Sequence, residues 1–271
     1  MGSVAKRILT GASLAASVVG LLVLDGYLSD GLVPWLVASA LSLLCAWELG
    51  RMGGFHALRL NPSLYIAGVL VAAAAWFGRA DLSAPAQPYL VLVAGGALVA
   101  LVTLAGRKRA RKPAFWLGLW ALVPLFGLIS VDASWGIWGL GCLVILSKIG
   151  DIFGYFVGRA IGQRKPFKTL SPNKTLAGCV ASLVAGTVVG AALGFFGKLP
   201  ASEAGLLVGA LVGASINLVS QAGDLLESFV KRTAAVKDSS SLAGAAGGVL
   251  DVVDSLLLSI PLALCTWPWL L

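Results

Sequence analysis

The chain is predicted to be an all-α, polytopic membrane protein with about nine transmembrane helices and a cytoplasmic N-terminus, and three observations predict it. First, 58% of its 271 residues are hydrophobic and 12% are charged, with a mean hydropathy of +0.93. Second, the apolar residues fall in nine continuous runs, most near the roughly 20 residues that a spanning helix needs. A transmembrane barrel would instead show alternating segments of about ten residues. Third, the cations alternate from one end of the runs to the other as the positive-inside bias requires.

Span 1 (8–28) follows Lys6 and Arg7. Its apolar run exceeds a signal-peptide core, and Asp25 and Asp30 follow without a small-residue cleavage site, so it is read as a retained helix. Span 2 (32–49) leads to Arg51 and Arg59 and carries Glu48, almost the only internal charge of the first five spans. Spans 3 (63–79) and 4 (88–105) are followed by a short loop and by the RKRARK run at 107–112, a topology anchor that also meets anionic lipid heads. Span 5 (114–131) precedes span 6 (135–158), which holds Lys148 and Asp151. Spans 7 (175–197) and 8 (204–222) are rich in Gly and Ala, a composition suited to close helix packing in lipid. Span 9 (249–270) follows a Gly-rich break at 244–248.

Seventeen of the 20 cations fall on the side of the N-terminus in this scheme, so that side is cytoplasmic and the C-terminus lies outside. The same bias explains most of the net charge of +8, and with no soluble domain to carry it, nucleic-acid binding is excluded. Cys45, Cys142, Cys179 and Cys265 form no CxxC pair and read as small packing residues. The chain reads as a single integral-membrane domain (1–271), with scaffold helices in 1–134 and a catalytic-type region in 135–271.

Two polar constellations stand out in that second region. KIGDIFGYFVGR, Lys148 to Arg159, puts Asp151 inside an apolar span, where an ionisable residue is by default a functional candidate. Lys148 shares its helix face three residues away and can partly neutralise it, which is the plainer structural reading. The loop SPNKT follows, with Pro172 breaking the backbone while Ser171, Lys174 and Thr175 supply groups suited to phosphate. The second constellation runs from Gln221 to Asp254. Asp224 and Glu227 close span 8, Lys231 and Arg232 come a turn later, and Asp251 and Asp254 open span 9 after Gly247 and Gly248. Bringing Asp224 and Asp251 together would give two hard oxygen ligands for Mg²⁺, which takes one or two carboxylates plus substrate phosphates. A solvated loop with helix-capping aspartates is the other reading of the same spacing.

The order Gln221, Gly223, Asp224, Leu225, Glu227, Ser228, Lys231, Arg232, Lys237, Asp238, Gly247, Gly248, Asp251, Asp254 resembles the phosphatidate cytidylyltransferases. Asp151, Tyr155, Gly158, Arg159, Gly162 and the SPNKT loop are similar to the same family's membrane region, so the resemblance covers roughly 148–255. It implies transfer of a cytidylyl group from CTP to phosphatidate or a related lipid phosphate, giving CDP-diacylglycerol and pyrophosphate. By the same resemblance Asp224, Asp251 and Asp254 hold Mg²⁺; Lys231 and Arg232, cations suited to the phosphates of CTP or the lipid, join Asp224 and Asp251 as the catalytic set. Asp151, Arg159, Ser171, Lys174, Thr175, Glu227, Ser228, Lys237, Asp238, Gly247 and Gly248 are then the substrate-binding candidates. It also implies a bacterial-type inner-membrane enzyme with a cytoplasm-facing site, set among membrane lipids, and a homodimer by analogy.

This chain departs from the family pattern at Ala246, where His is usual, and at Val252, where Arg is usual. Asn173 stands for Lys, Leu176–Ala177 for Trp–Glu, and Ser239–Ser241 for a more varied stretch. Two alternatives accompany the leading reading: a CTP-dependent lipid-alcohol kinase, and a catalytically degenerate relative that binds lipid phosphate or CTP. His56, the one histidine, is given no catalytic role.

Overall fold

The computed structural model describes residues 20, 23–24, 32–52, 120–121, 123–200, 205–244 and 247–270. Most of predicted span 1, spans 3 and 4, the start of span 5, the 107–112 anchor, His56 and Ala246 lie outside the described residues. Those described form α1 (Leu32–Arg51), α2 (Val123–Ile161), α3 (Leu176–Phe195), α4 (Gly205–Thr233), α5 (Val249–Val253) and α6 (Leu256–Leu270), with no strand among them. Five stretches, with α5 and α6 taken together as Val249–Leu270, are long and apolar enough to cross a membrane. The all-α, membrane-spanning prediction therefore holds for this part of the chain.

Predicted spans 5 and 6 meet inside α2. An unbroken helix of its 39 residues would run about 58 Å, nearly twice a bilayer's hydrocarbon core. Gly136 breaks it, with φ 64° and ψ −173°, a conformation essentially reserved for glycine. The break falls next to the predicted start of span 6 at 135, but helix fills the gap that had been expected after 131.

The chain divides into two compact units, one of Met1–Ile137 with Lys231–Val253 and the other of Trp138–Val230 with Asp254–Leu271. In the second, glycine sets the spacing between helices. A Cβ placed on Gly190 of α3 would lie 2.3 Å from the Gly209 carbonyl oxygen of α4, and one on Gly209 would lie 2.3 Å from the Gly190 oxygen. Gly186 and Gly194 meet α4 as closely, so the backbones touch and dispersion replaces side-chain interdigitation. A second row, Gly150, Gly154 and Gly158 of α2 with Gly162 just past its end, faces Ser182, Gly178 and Thr175. Polar side chains then tie α3 to α4: the buried Ser182 Oγ donates to Asn217 Oδ1 (3.1 Å), and the half-buried Gln221 Nε2 donates to the Cys179 carbonyl (3.2 Å). Thr175 caps α3, its Oγ1 accepting the Gly178 N–H at 3.1 Å.

In the first unit, α1 buries Val33, Ala38, Cys45, Ala46 and Leu49 and packs against α5, whose Leu250 and Val253 are also buried. α4 ends in a Schellman turn in which Val236 N–H reaches the Lys231 carbonyl (3.0 Å) and Ala235 takes a φ of 57°. All four cysteines are free, and Cys45 and Cys142 are buried as expected of packing residues.

Candidate active site

The second unit carries a cluster of acids and lysines. Asp224 and Glu227, three residues apart on α4, share a face with one carboxylate oxygen each within 4.8 Å of the other and of Asp254. Local sequence explains how they get there. Gln221 pins α4 to α3, and the absence of a side chain at Gly223 lets α4 settle on the main chain of Asp254, since a Cβ there would lie 2.5 Å from the Asp254 carbonyl oxygen. Asp254 Oδ1 accepts the Ser255 N–H at 2.6 Å, fixing its rotamer.

Two lysines complete the cluster. Lys174 Nζ lies 2.7 Å from Asp224 Oδ2 and also donates to the Gln221 carbonyl (3.4 Å). Lys148 Nζ sits between Asp151 Oδ2 (3.9 Å) and Asp254 Oδ1 (3.5 Å). Exposure grades across the group: Asp151 is open to the outside, Asp224 and Lys174 are half-buried, and Glu227 and Asp254 form the buried floor. Counted formally, Asp151, Asp224, Glu227 and Asp254 against Lys148 and Lys174 leave two negative charges, the charge of one divalent cation. Acids held this close repel one another unless a cation sits among them, so the donor set fits a hard metal ion such as Mg²⁺.

The first unit holds the rest of the motif as a tightly bonded turn. Asp251 Oδ1 receives Lys231 Nζ, while its Oδ2 accepts from Ser239 N (3.0 Å), Ser239 Oγ (2.8 Å) and Gly248 N (2.6 Å). Gly247 has a φ of 96°, and a Cβ there would lie 2.5 Å from Asp251 Oδ2. At this position a glycine is needed twice over, for its conformation and for space.

Of the predicted metal ligands, Asp224 and Asp254 come together with Glu227, which had been assigned to substrate, while Asp251 belongs to the other unit. Lys174 joins the cluster, and Asp151 lines its open edge. Thr175 spends its hydroxyl on the α3 cap, and the Gly248 N–H is taken by Asp251. Arg159 reaches Tyr155 Oη (2.9 Å) and Arg232 reaches the Val236 carbonyl (2.9 Å), both exposed. Ser171 is half-buried in its turn, Ser228 is buried on α4, and Lys237, Asp238 and the half-buried Val252 flank the turn in the first unit. Sequence reasoning gave no role to Glu48, which is fully buried beside this turn, or to Ser239, which bonds Asp251. The signal for Glu48 was present, as nearly the only charge within the first five spans.

The sequence profile of the cytidylyltransferase family matches residues 5–267. A phosphatidate cytidylyltransferase of Helicobacter pylori (strain J99) is 34% identical over 234 residues, 83% of each chain. One from Pseudomonas aeruginosa is 31% identical over 266 residues, 94% of each chain. One from Chlamydia muridarum is 40% identical over 143 residues, and that match spans 51% of this chain but only 46% of the relative's length.

Proposed function

The chain belongs to the cytidylyltransferase family, and from that premise we propose that it transfers a cytidylyl group from CTP to phosphatidate, giving CDP-diacylglycerol and pyrophosphate. The observation that carries the site assignment is the cluster of Asp224, Glu227 and Asp254 between two lysines. Asp224 and Asp254 would hold Mg²⁺ with Glu227 beside them, and the ion, when bound, supplies neutralising charge for the triphosphate. Lys174 and Lys148 fix the carboxylates in place and offset part of their charge. Asp151 marks the open edge where substrate would enter, and Arg159 stays a candidate substrate contact on the strength of the resemblance.

The chemistry asks little of a general base. A phosphatidate oxygen is already anionic; it forms the new bond to the α-phosphorus of CTP as the bond to pyrophosphate breaks. Catalysis therefore rests on positioning and charge placement. Asp251 stays a catalytic candidate on the strength of the resemblance, and Lys231, Arg232 and Lys237 stay candidates as cations suited to the phosphates of CTP or the lipid. The positive-inside pattern supports a cytoplasm-facing site in a bacterial-type inner membrane, where soluble CTP meets a lipid that stays in the bilayer. Nine spans and a homodimer belong to the same proposal.

The test uses the full chain purified in detergent with labelled CTP, phosphatidate and Mg²⁺. Expected products are CDP-lipid and pyrophosphate in equal amounts, with both lost on Asp224→Asn. Release of CDP in place of pyrophosphate would point to γ-phosphoryl transfer. Absence of any nucleotide product with every lipid phosphate tried would overturn the proposal.

A further inference from the structure

Glu48 lies near the end of α1 with no exposed surface, and its carboxylate is saturated by a segment about 190 residues further on. Oε1 accepts from Ser240 Oγ (2.6 Å) and Val249 N (2.7 Å), and Oε2 accepts from Ser239 Oγ (2.9 Å) and Leu250 N (2.8 Å). Three donors thus face one carboxylate throughout, and a fourth, the Ser239 hydroxyl, is shared. Val249 and Leu250 open α5, the short helix that carries Asp251. Ser239 Oγ lies between two carboxylates, 2.9 Å from Glu48 Oε2 and 2.8 Å from Asp251 Oδ2. With one hydrogen it donates to one of them at a time, and so links the two positions. Gly248 admits this arrangement, because a Cβ there would lie 2.0 Å from Ser239 Oγ and 2.5 Å from Glu48 Oε1.

We propose that Glu48 is a positioning residue for Asp251: it anchors the amides that open α5 and the serine that holds the Asp251 carboxylate, and so fixes where that carboxylate points. The inference rests on the assignment of Asp251 to catalysis. A purely structural role is a poor account of the same contacts. Burying a carboxylate costs several kcal/mol before its bonds are counted, and well-packed apolar residues often serve stability as well or better. What these converging bonds supply is a fixed geometry.

Glu48→Gln keeps the size of the side chain but places an NH₂ against groups that only donate or are already donating. In the purified full chain it should lower kcat by about tenfold or more while the KM for phosphatidate stays within about twofold. Ser239→Ala, which cuts the link to Asp251, should lower kcat to a similar extent. Ser240→Ala removes one donor to Glu48 but none to Asp251, so it should cost clearly less at a comparable change in Tm. Amide exchange across Gly248–Asp251 should speed up in Glu48→Gln. A kcat for Glu48→Gln within about twofold of wild type, or equal losses from the two serine variants, would overturn the proposal. Should Glu48→Gln fail to fold, the serine pair decides. Should the wild type make no CDP-lipid at all, the functional reading fails instead; unchanged amide exchange in Glu48→Gln would then still overturn the positioning role, and faster exchange would support it.

Discussion

Gly223→Ala isolates the geometry of the acidic cluster without touching any charge. The added methyl would lie 2.5 Å from the Asp254 carbonyl oxygen and 3.3 Å from Ser255 Cα, both main-chain atoms that no rotamer change can clear. Reaching even about 3.2 Å requires α4 and the Asp254 segment to part by about 0.7 Å, still inside the optimum of ordinary contacts. Asp224 moves with α4, so the separation of the metal-facing oxygens changes by a similar amount. Misplacement by about 1 Å can cost a hundredfold in rate, so a loss of about thirtyfold in kcat is expected, or about 2 kcal/mol of transition-state stabilisation. Overpacking should cost a further 1–3 kcal/mol or so of stability. The assay is CDP-lipid formation in detergent across a Mg²⁺ titration, with Tm measured on the same sample and the exposed neighbour Ala222→Ser as control. Folded Gly223→Ala protein with wild-type kcat and an unchanged Mg²⁺ midpoint would refute the placement of the metal between α4 and Asp254.

Three further outcomes follow from individual contacts. Lys174→Ala removes the ammonium 2.7 Å from Asp224 and makes the cluster more negative, so the Mg²⁺ midpoint should fall while the KM for CTP rises, each by about fivefold; parallel titrations of metal and CTP check the opposite signs. Gly190→Ala pushes against the Gly209 carbonyl, and thermal unfolding should show a loss of about 1–3 kcal/mol. Ala235→Gly relieves a left-handed alanine at the end of α4, and the same measurement should show a gain of about 1 kcal/mol.

Much of the fold was legible because lipid imposes simple rules. Continuous apolar runs and glycine-rich stretches stated the helices, and Gly136 fell beside the expected break between spans 5 and 6. The length of α2 was not legible, since the apolar pattern is the same on both sides of one residue whose backbone turns. For the site, spacing correctly paired Asp224 with Glu227 on one face and Lys148 with Asp151 on another, because a helix fixes contacts three residues apart. Contacts across the fold followed no such rule. Glu227 looked like a substrate contact because nothing in the sequence says how far α4 sinks toward Asp254. Thr175 looked like a phosphate ligand, yet a threonine before an apolar run is equally the signature of a helix cap. Glu48 could be flagged as a lone charge, but its partners lie about 190 residues away.

Glycine and carboxylate recur together in this chain for one physical reason. Buried acids set among apolar helices have little water, so their charge must be met by lysines and by main-chain N–H groups. A main chain can approach a carboxylate, or the peptide carrying it, only where no Cβ intervenes. Gly223 brings α4 onto the peptide of Asp254, Gly247 turns the chain over the Asp251 carboxylate, and Gly248 lets Ser239 and Glu48 reach the same turn while giving its own N–H to Asp251. The GD pair at 223–224 and the GG pair at 247–248 are thus not separate from the acids that follow them. Each glycine makes room for an acid that would otherwise be too costly to bury, and substituting either kind of residue undoes the other.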